Sequence, residues 1–186
     1  MSLKPPCFTL TVATSRDGFI ARAIDDTPQN WASAEEQELF FRDVEAADWA
    51  IMGKNTHLAA DKPHRHRIIF STKTKGWQRP TQLWCDPSEL GPSDLVSEVA
   101  GKKPLQNGLI LGGTRVHDWF FQRRAIHKVN LTVEPLTFVN GLPIFSDQGS
   151  SNPLGEFINR GFKLRSEKVL NTLGTRYYEL FHASNP

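Results

Sequence analysis

Cysteine is scarce in this sequence, whose 186 residues include only Cys7 and Cys85. The two lie far apart and neither belongs to a C-x-x-C pair, so they indicate neither a disulfide framework nor a zinc site. The sequence also lacks the apolar core of a signal peptide at its start and any run of about 18 apolar residues that could span a bilayer. We therefore expect a soluble protein in a reducing, cytoplasmic compartment, with no membrane partner.

A large excess of charge of either sign is also missing. The net charge is only +2, and the basic residues are scattered among acidic ones. No concentrated positive face is available to a nucleic-acid backbone, so we expect no nucleic-acid partner. With 39% hydrophobic and 23% charged residues, the composition is typical of one globular domain that spans residues 1–186.

Several motifs of nucleotide-binding and hydrolytic enzymes are absent. The sequence contains no G-x-G-x-x-G, no G-x-x-x-x-G-K-[ST] and no G-x-S-x-G, which argues against a Rossmann dehydrogenase, a P-loop enzyme and an α/β-hydrolase. Alternating histidines and arginines at residues 64–67 suggest a metal site, but arginine repels a cation. This cluster is more typical of a solvated basic segment before a strand, so we expect no metal.

The sequence does contain an apolar strand that leads directly into paired glycines. Residues 109–111 are aliphatic, and Gly112 and Gly113 follow them before a helical pattern begins at Thr114. Glycines leave the backbone open to an anion, and the following helix directs its unpaired N–H groups and positive dipole end to the same place. The pattern indicates either a nucleotide-phosphate site or only a tight turn.

Strands and helices alternate along most of the chain. Apolar patterning predicts strands over residues 8–13, 48–52, 67–70, 82–85, 109–111 and 128–133. Helices are predicted over 33–47, 93–100 and 114–124, the first with Ser33 as N-cap and an apolar stripe of Leu39, Phe40, Val44 and Ala47. Residues 134–155 are predicted to be irregular, and residues 162–170 and 175–181 to form an antiparallel hairpin. This order predicts an α/β domain with a mostly parallel sheet.

Two further strand ends carry chemistry similar to that of the paired glycines. The predicted strand over 48–52 leads into Gly53-Lys54-Asn55-Thr56, and the strand over 67–70 leads into Ser71-Thr72-Lys73. Ligands of open α/β sheets bind at the carboxyl ends of strands, so we expect these turns to converge on one phosphate-bearing ligand. Lys54 and Lys73 would supply positive charge, although a lysine taken singly is more often a solvated surface residue.

Six segments occur in an order that resembles the dihydrofolate reductase-like superfamily: ATSRDGFIA (13–21), WASAEE (31–36), AIMGKNT (50–56), IFST (69–72), LGGTRV (111–116) and LT (131–132). Within it, the chain is most similar to the reductase (C-terminal) domain of the bifunctional riboflavin-biosynthesis deaminase-reductase. The resemblance implies a three-layer α/β fold whose mostly parallel central sheet ends in the C-terminal antiparallel hairpin. It also implies an NADPH-dependent oxidoreductase acting on a small pterin-, folate- or riboflavin-precursor-like heterocycle.

The resemblance further implies roles for individual residues. Ala13 and Ile20 would line the nicotinamide, and the lid over it would be the polar loop after Asp17. The pyrophosphate would lie against Leu111, Gly112, Gly113, Thr114, Arg115 and Val116. The 2′-phosphate and adenosine would lie near Gly53, Lys54, Asn55, Thr56, Ser71 and Thr72. Trp31 and Ser33 would contact the substrate, and His117 would either face the nicotinamide or only line the pocket wall.

By the same resemblance, the proton donor lies five residues after the tryptophan, at Glu36, with Glu35 as the fallback and Thr132 as a companion by position. Glu36 has the capping-box spacing from Ser33, however, and this gives it an equally good structural role. A carboxyl group in a dry pocket has a raised pKa, whereas a capping carboxylate that accepts backbone N–H bonds has a lowered one. The two interpretations predict opposite shifts.

Two departures from the resemblance leave the substrate open. Riboflavin-pathway reductases place an arginine where this chain has Gln37, and the H-x-E and P-C-x-x-C signatures of the deaminase half are absent. Besides the reductase, we keep two alternatives: a catalytically inactive reductase-like protein that binds a nucleotide or a protein partner, and an unrelated α/β module. The exposed edge of the hairpin and the resemblance together predict a homodimer.

Overall fold

The computed structural model describes residues 5–182, which form eleven strands and five helices. The strands are β1 (Cys7–Thr14), β2 (Phe19–Ala21), β3 (Trp49–Gly53), β4 (Arg67–Phe70), β5 (Gly76–Arg79), β6 (Gln82–Cys85), β7 (Asn107–Gly112), β8 (Lys128–Val133), β9 (Leu142–Pro143), β10 (Phe162–Val169) and β11 (Arg176–His182). The helices are α1 (Ala34–Ala46), α2 (Lys54–Ala59), α3 (Pro92–Val99), α4 (Thr114–Gln122) and α5 (Pro153–Asn159).

Nine of the strands form one sheet, in the order β10-β11-β8-β1-β7-β3-β4-β6-β5. All strand pairs from β8 across to β6 are parallel, whereas the pairs at both edges of the sheet are antiparallel. The three-layer α/β fold with a mostly parallel sheet and a C-terminal hairpin at its edge is therefore confirmed. Strand β10 lies at the edge of the sheet, and its side chains are almost all exposed. A homodimer through this edge stays a prediction.

The two faces of the sheet differ in how they are filled. One face carries the large core, in which side chains such as Phe8, Ile51 and Ile110 pack against α3, α4 and α5. The other face carries only a small cluster of Ala50, Met52, Ile69 and Trp84. Fewer bulky side chains on that face leave space between the sheet and the helices that cover it.

Helix α1 covers that second face without inserting an apolar stripe into it. The predicted stripe of Leu39, Phe40, Val44 and Ala47 is only half-buried, and Glu36 is the one buried residue of the helix. The helix is held instead by polar contacts, because Asp43 Oδ2 accepts hydrogen bonds from Thr11 Oγ1 at 2.8 Å and Asn130 Nδ2 at 2.7 Å. The four residues of the predicted stripe thus lie on the less exposed side of this helix, although none of them is fully buried.

Four elements were not predicted. Strand β5 is short and mostly exposed, so it has no buried alternation to signal it. Strands β2 and β9 pair in a separate two-stranded sheet, and α5 begins near the end of the segment 134–155 that was expected to be irregular. Helix α5 does have a local signal, because Asn152 caps it and Pro153 occupies its first turn. None of the helices between residues 5 and 182 is long and apolar enough to span a bilayer.

Candidate active site

A cavity of about 630 Å³ opens between the sheet, α1, α2 and the start of α4. This volume is typical of small-molecule sites. Of the residues singled out from the sequence, those in its wall are Ala13, Ile20, Glu36, Gly53, Lys54, Asn55, Thr56, Leu111, Gly113, Thr114, Arg115, Val116 and His117. The fold thus brings most of the expected site residues together in one place.

The strand ends at Gly53 and Gly112 lie side by side, as the sequence predicts. Met52 of β3 is in register with Gly112 of β7. A Cβ atom on Gly53 would lie 3.6 Å from Val116 Cγ2 and 3.9 Å from the Gly112 carbonyl oxygen. Gly112 joins Gly113 through a cis peptide bond, and Gly113 is the N-cap of α4. The first N–H groups of a helix have no partner within it. The Val116 N–H donates to the Gly113 carbonyl oxygen at 2.9 Å, so the N–H groups of Thr114 and Arg115 are the ones left without a partner among residues 5–182.

Two cations lie at this rim of the cavity. The side chains of Lys54 and Arg115 are exposed and line the cavity. Neither forms an ion pair with any other residue between 5 and 182. Two unpaired cations beside the start of a helix favour an anionic ligand group.

The third strand end contributes less than its sequence indicates. Phe70 is in register with Gly53, so Ser71 lies next to the site, but Ser71, Thr72 and Lys73 are not in the cavity wall. The Ser71 hydroxyl instead accepts hydrogen bonds from the N–H groups of Lys73 and Thr74, both at 3.2 Å, which closes a turn. Two of the three strand ends therefore lie at the cavity and the third does not, while their convergence on a phosphate-bearing ligand stays a prediction.

The carboxyl group of Glu36 does not cap its own helix. Ser33 is the N-cap, and its hydroxyl accepts from the Glu36 N–H at 3.3 Å. The reciprocal bond, from the Ser33 N–H, goes to Glu134 Oε1 at 2.8 Å. No hydrogen bond to the Glu36 carboxyl occurs within residues 5–182. Burial raises the pKa of Glu36 to about 7, with smaller contributions in the same direction from the charges of Glu134 and Asp43.

The remaining residues expected near the substrate lie outside the cavity wall. Both polar groups of Ser33 are engaged, because its hydroxyl also donates to Glu134 at 2.7 Å. Trp31 packs edge-on against Phe138, and its buried indole N–H has no partner among the described residues. Thr132 is buried in β8, in register with Ala13 of β1. The roles proposed for these residues stay predictions.

His117 lies in the cavity wall but is fully buried against the backbone. Its Nδ1 lies 2.8 Å from the Ile144 carbonyl oxygen, which can only accept, so Nδ1 carries the proton and Nε2 is an acceptor. Nε2 has no partner among the described residues. Burial lowers the pKa of His117 to about 4, so the imidazole is neutral at physiological pH.

Arg67 was misjudged from the sequence. The sequence predicts that residues 64–67 form a solvated basic segment. Arg67 is instead buried as the first residue of β4 and lines the cavity. Its Nη1 donates to His57 Nδ1 at 3.1 Å, while its buried Nε has no partner among the described residues. Residues 64–66 are half-buried or exposed. No group of three or more metal-ligating side chains occurs in the described part of the chain.

The polar loop after β2 forms one wall of the cavity. Ile24, Asp26 and residues 27–29 line it. Asp26 accepts hydrogen bonds from Arg22 and Asn30, and the Arg22 guanidinium holds the pKa of Asp26 well below its usual range. This placement is the one expected for a lid.

Three solved structures share this architecture. A protein of Shewanella sp. PV-4 described as a riboflavin biosynthesis protein aligns with a TM-score of 0.66 and 19% identity over 94% of this chain and 98% of its own. The second is the Thermotoga maritima diaminohydroxyphosphoribosylaminopyrimidine deaminase/5-amino-6-(5-phosphoribosylamino)uracil reductase. It aligns with a TM-score of 0.72 and 16% identity over 96% of this chain and 57% of its own. Enterococcus faecalis dihydrofolate reductase, complexed with NADP(H), aligns with a TM-score of 0.65 and 14% identity over 96% of this chain and 97% of its own.

The chain has the dihydrofolate reductase-like fold. At these identities the likeness establishes the fold alone. The chain spans little more than half of the Thermotoga protein. No protein-family model matches the sequence, and neither does any curated protein sequence.

Proposed function

We propose that this protein with a dihydrofolate reductase-like fold is an NADPH-dependent reductase of a small heterocycle. The substrate would be pterin-, folate- or riboflavin-precursor-like, with a C=N bond or an opened-ribose carbonyl to reduce. The observation that carries the proposal is that the buried carboxyl group of Glu36, which accepts no hydrogen bond from residues 5–182, shares one cavity with Lys54 and Arg115. Burial raises its pKa to about 7. A hydride acceptor that gains negative charge needs such a proton donor close by.

The cationic rim suits a dinucleotide phosphate. Gly53 and Gly113 present no side chain, and the Thr114 and Arg115 N–H groups have no partner among residues 5–182. Lys54 and Arg115 form no ion pair within the same residues. Leu111, Gly113, Thr114, Arg115 and Val116 would hold the pyrophosphate, while Lys54, Asn55 and Thr56 would hold the 2′-phosphate. Bound NADPH would supply the hydride.

Ala13 and Ile20 would flank the reacting end of the cavity, because both lie in its wall with Glu36. Glu36 would donate its proton to the substrate nitrogen or oxygen as the adjacent carbon is reduced. The carboxylate that remains would take a proton from water before the next turnover. The half-buried Phe40, one turn after Glu36 on α1, lines the same region and would cover an apolar ring.

Steady-state oxidation of NADPH with a panel of pterin, folate and flavin-precursor substrates tests this proposal. Replacing Glu36→Gln should lower kcat by about a hundredfold or more, the usual contribution of a general acid. The wild-type kcat should fall as the pH rises above about 7, because the protonated form of Glu36 is lost. Glu35→Gln is the matched control, because Glu35 is exposed and should leave the rate unchanged.

Two results would overturn the proposal. A loss of rate in Glu35→Gln but not in Glu36→Gln would place the proton donor at Glu35. Binding of NADPH without saturable hydride transfer to any substrate class would favour a protein that binds nucleotides without turnover.

A further inference from the structure

The N-terminus of α1 is capped by a carboxylate from a distant part of the chain. Glu134, which directly follows β8, accepts hydrogen bonds at Oε1 from both the N–H and the hydroxyl of Ser33, at 2.8 and 2.7 Å. In a capping box, that N–H would bond the side chain three residues into the helix, which here is Glu36. Glu134 therefore occupies the position that the local sequence assigns to Glu36.

Glu134 is held in this position from its other side as well. The residue is buried, and its Oε2 accepts from Thr175 Oγ1 at 2.7 Å. Thr175 is fully buried just before β11, and its N–H donates to Asn171 Oδ1 at 3.1 Å. Three donors thus converge on the Glu134 side chain, and it donates to no residue between 5 and 182. This is the pattern of an ionised carboxylate.

We propose that Glu134 is a positioning residue, which takes the place of Glu36 at the Ser33 cap and so leaves the Glu36 carboxyl free to face the cavity. The inference rests on the proposed role of Glu36 as proton donor. It explains why a residue with capping-box spacing lies in the cavity wall with a carboxyl group that accepts no hydrogen bond from residues 5–182.

The placement has an electrostatic consequence. The charges that act on Glu36 are those of Glu134, from the end of β8, and Asp43, two turns later on α1. Both oppose ionisation of Glu36, in the same direction as its burial. The two carboxyl groups therefore differ in their surroundings. Glu134 accepts from three donors, whereas Glu36 accepts from none among residues 5–182, and this difference favours a proton on Glu36.

An NMR titration of labelled glutamate carboxyl groups in the full chain tests the proposal without any turnover. In Glu134→Gln, the neighbouring charge is lost but an oxygen remains for Ser33, so the pKa of Glu36 should fall from about 7 toward its ordinary 4.5. In Glu134→Ala, the Ser33 N–H is released to Glu36, so the pKa should fall further, to the ordinary value or below it. An unchanged pKa of Glu36 in both variants would overturn the proposal.

Glu35→Gln is the matched control. It removes an exposed charge next to Glu36, keeps an oxygen that can accept from Asn171, and leaves Glu134 and Ser33 in place. The pKa of Glu36 should stay near 7 in this variant. If the pKa of Glu36 fell as far as it does in Glu134→Gln, the shift would be a general response to the loss of any nearby negative charge, and the proposal would be overturned.

A second measurement does not depend on whether the Glu134 variants fold. The Ser33 amide resonance should be unchanged in Glu36→Gln, because its acceptor is Glu134. A large change there would show that Glu36 caps the helix in solution and would overturn the proposal. If these NMR results are as expected while the wild-type protein transfers no hydride, the proposed function fails and the positioning by Glu134 stands.

Discussion

The imidazole of His117 lies directly against Gly112. A Cβ atom at residue 112 would come within 2.7 Å of His117 Nε2, and the backbone φ of Gly112 is +95°. Both features require glycine, because side chains disfavour positive φ and the buried ring cannot retreat easily. The start of α4 and the paired glycines therefore form one packed unit.

Gly112→Ala should accordingly destabilise the protein by about 3 kcal/mol, from backbone strain and overpacking together. The matched control is Gly53→Ala at the neighbouring strand end. Its φ is −77°, and an added Cβ would meet its nearest neighbours at ordinary contact distances of 3.6 and 3.9 Å. Urea denaturation of both variants measures the difference. Equal stability of the two variants would contradict this account of Gly112.

The stability of the protein should respond to pH through two groups that act in opposite directions. Burial lowers the pKa of His117 from 6.5 to about 4, so between these values the unfolded chain binds more protons at this site and stability is lost as the pH falls. Burial raises the pKa of Glu36 from 4.5 to about 7, so between these values the folded protein binds more protons and stability is lost as the pH rises.

The variant Glu36→Gln separates the two contributions. Relative to the wild type, its free energy of unfolding should increase between pH 4.5 and 7, by on the order of 2 kcal/mol. Chemical denaturation across this pH range measures the change, and Glu35→Gln should show no such trend. A difference between Glu36→Gln and the wild type that does not vary with pH would show that Glu36 is not buried in its neutral form.

Much of the site could be predicted because its signals are local. Gly53 and Gly112 stand at the ends of apolar strands, and parallel strands end at the same edge of a sheet, so their proximity follows from the pattern. The N-cap of α1 was also predicted correctly at Ser33, but the acceptor of the Ser33 N–H could not be predicted in this way. Ser33 and Glu36 have the local spacing of a capping box, but Glu134 is a better-placed acceptor that only the tertiary fold brings there.

Arg67 was misjudged for a related reason. Its sequence neighbours are basic and polar, whereas its position at the start of β4 turns it onto the sparsely filled face of the sheet. Nothing in the local sequence signals that α1 and α2 leave a cavity there. The exposed strand β5 was missed because a short edge strand has no buried face to impose alternation.

Arg67 should contribute to ligand binding rather than to stability. Arg67 forms no ion pair with residues 5–182. A buried, unpaired guanidinium costs desolvation free energy, and burial lowers the pKa of Arg67. Arg67→Met keeps much of the side-chain volume, so the Tm should be unchanged or higher, and binding of substrates that carry a carboxylate or phosphate should weaken. Thermal unfolding measures the first effect. A Tm lower by more than about 5 °C, which corresponds to roughly 1–2 kcal/mol, would indicate a structural role.

The most direct test of the account is a titration of the purified protein with NADPH and with NADH, followed by quenching of its tryptophan fluorescence. We expect micromolar binding of NADPH and at least about tenfold weaker binding of NADH, a difference of about 1.4 kcal/mol. Lys54→Ala should abolish this preference, whereas Lys73→Ala, outside the cavity wall, should retain it. Failure to bind either dinucleotide would show that the glycine turn is only a turn, and would contradict the assignment of the cavity to NADPH.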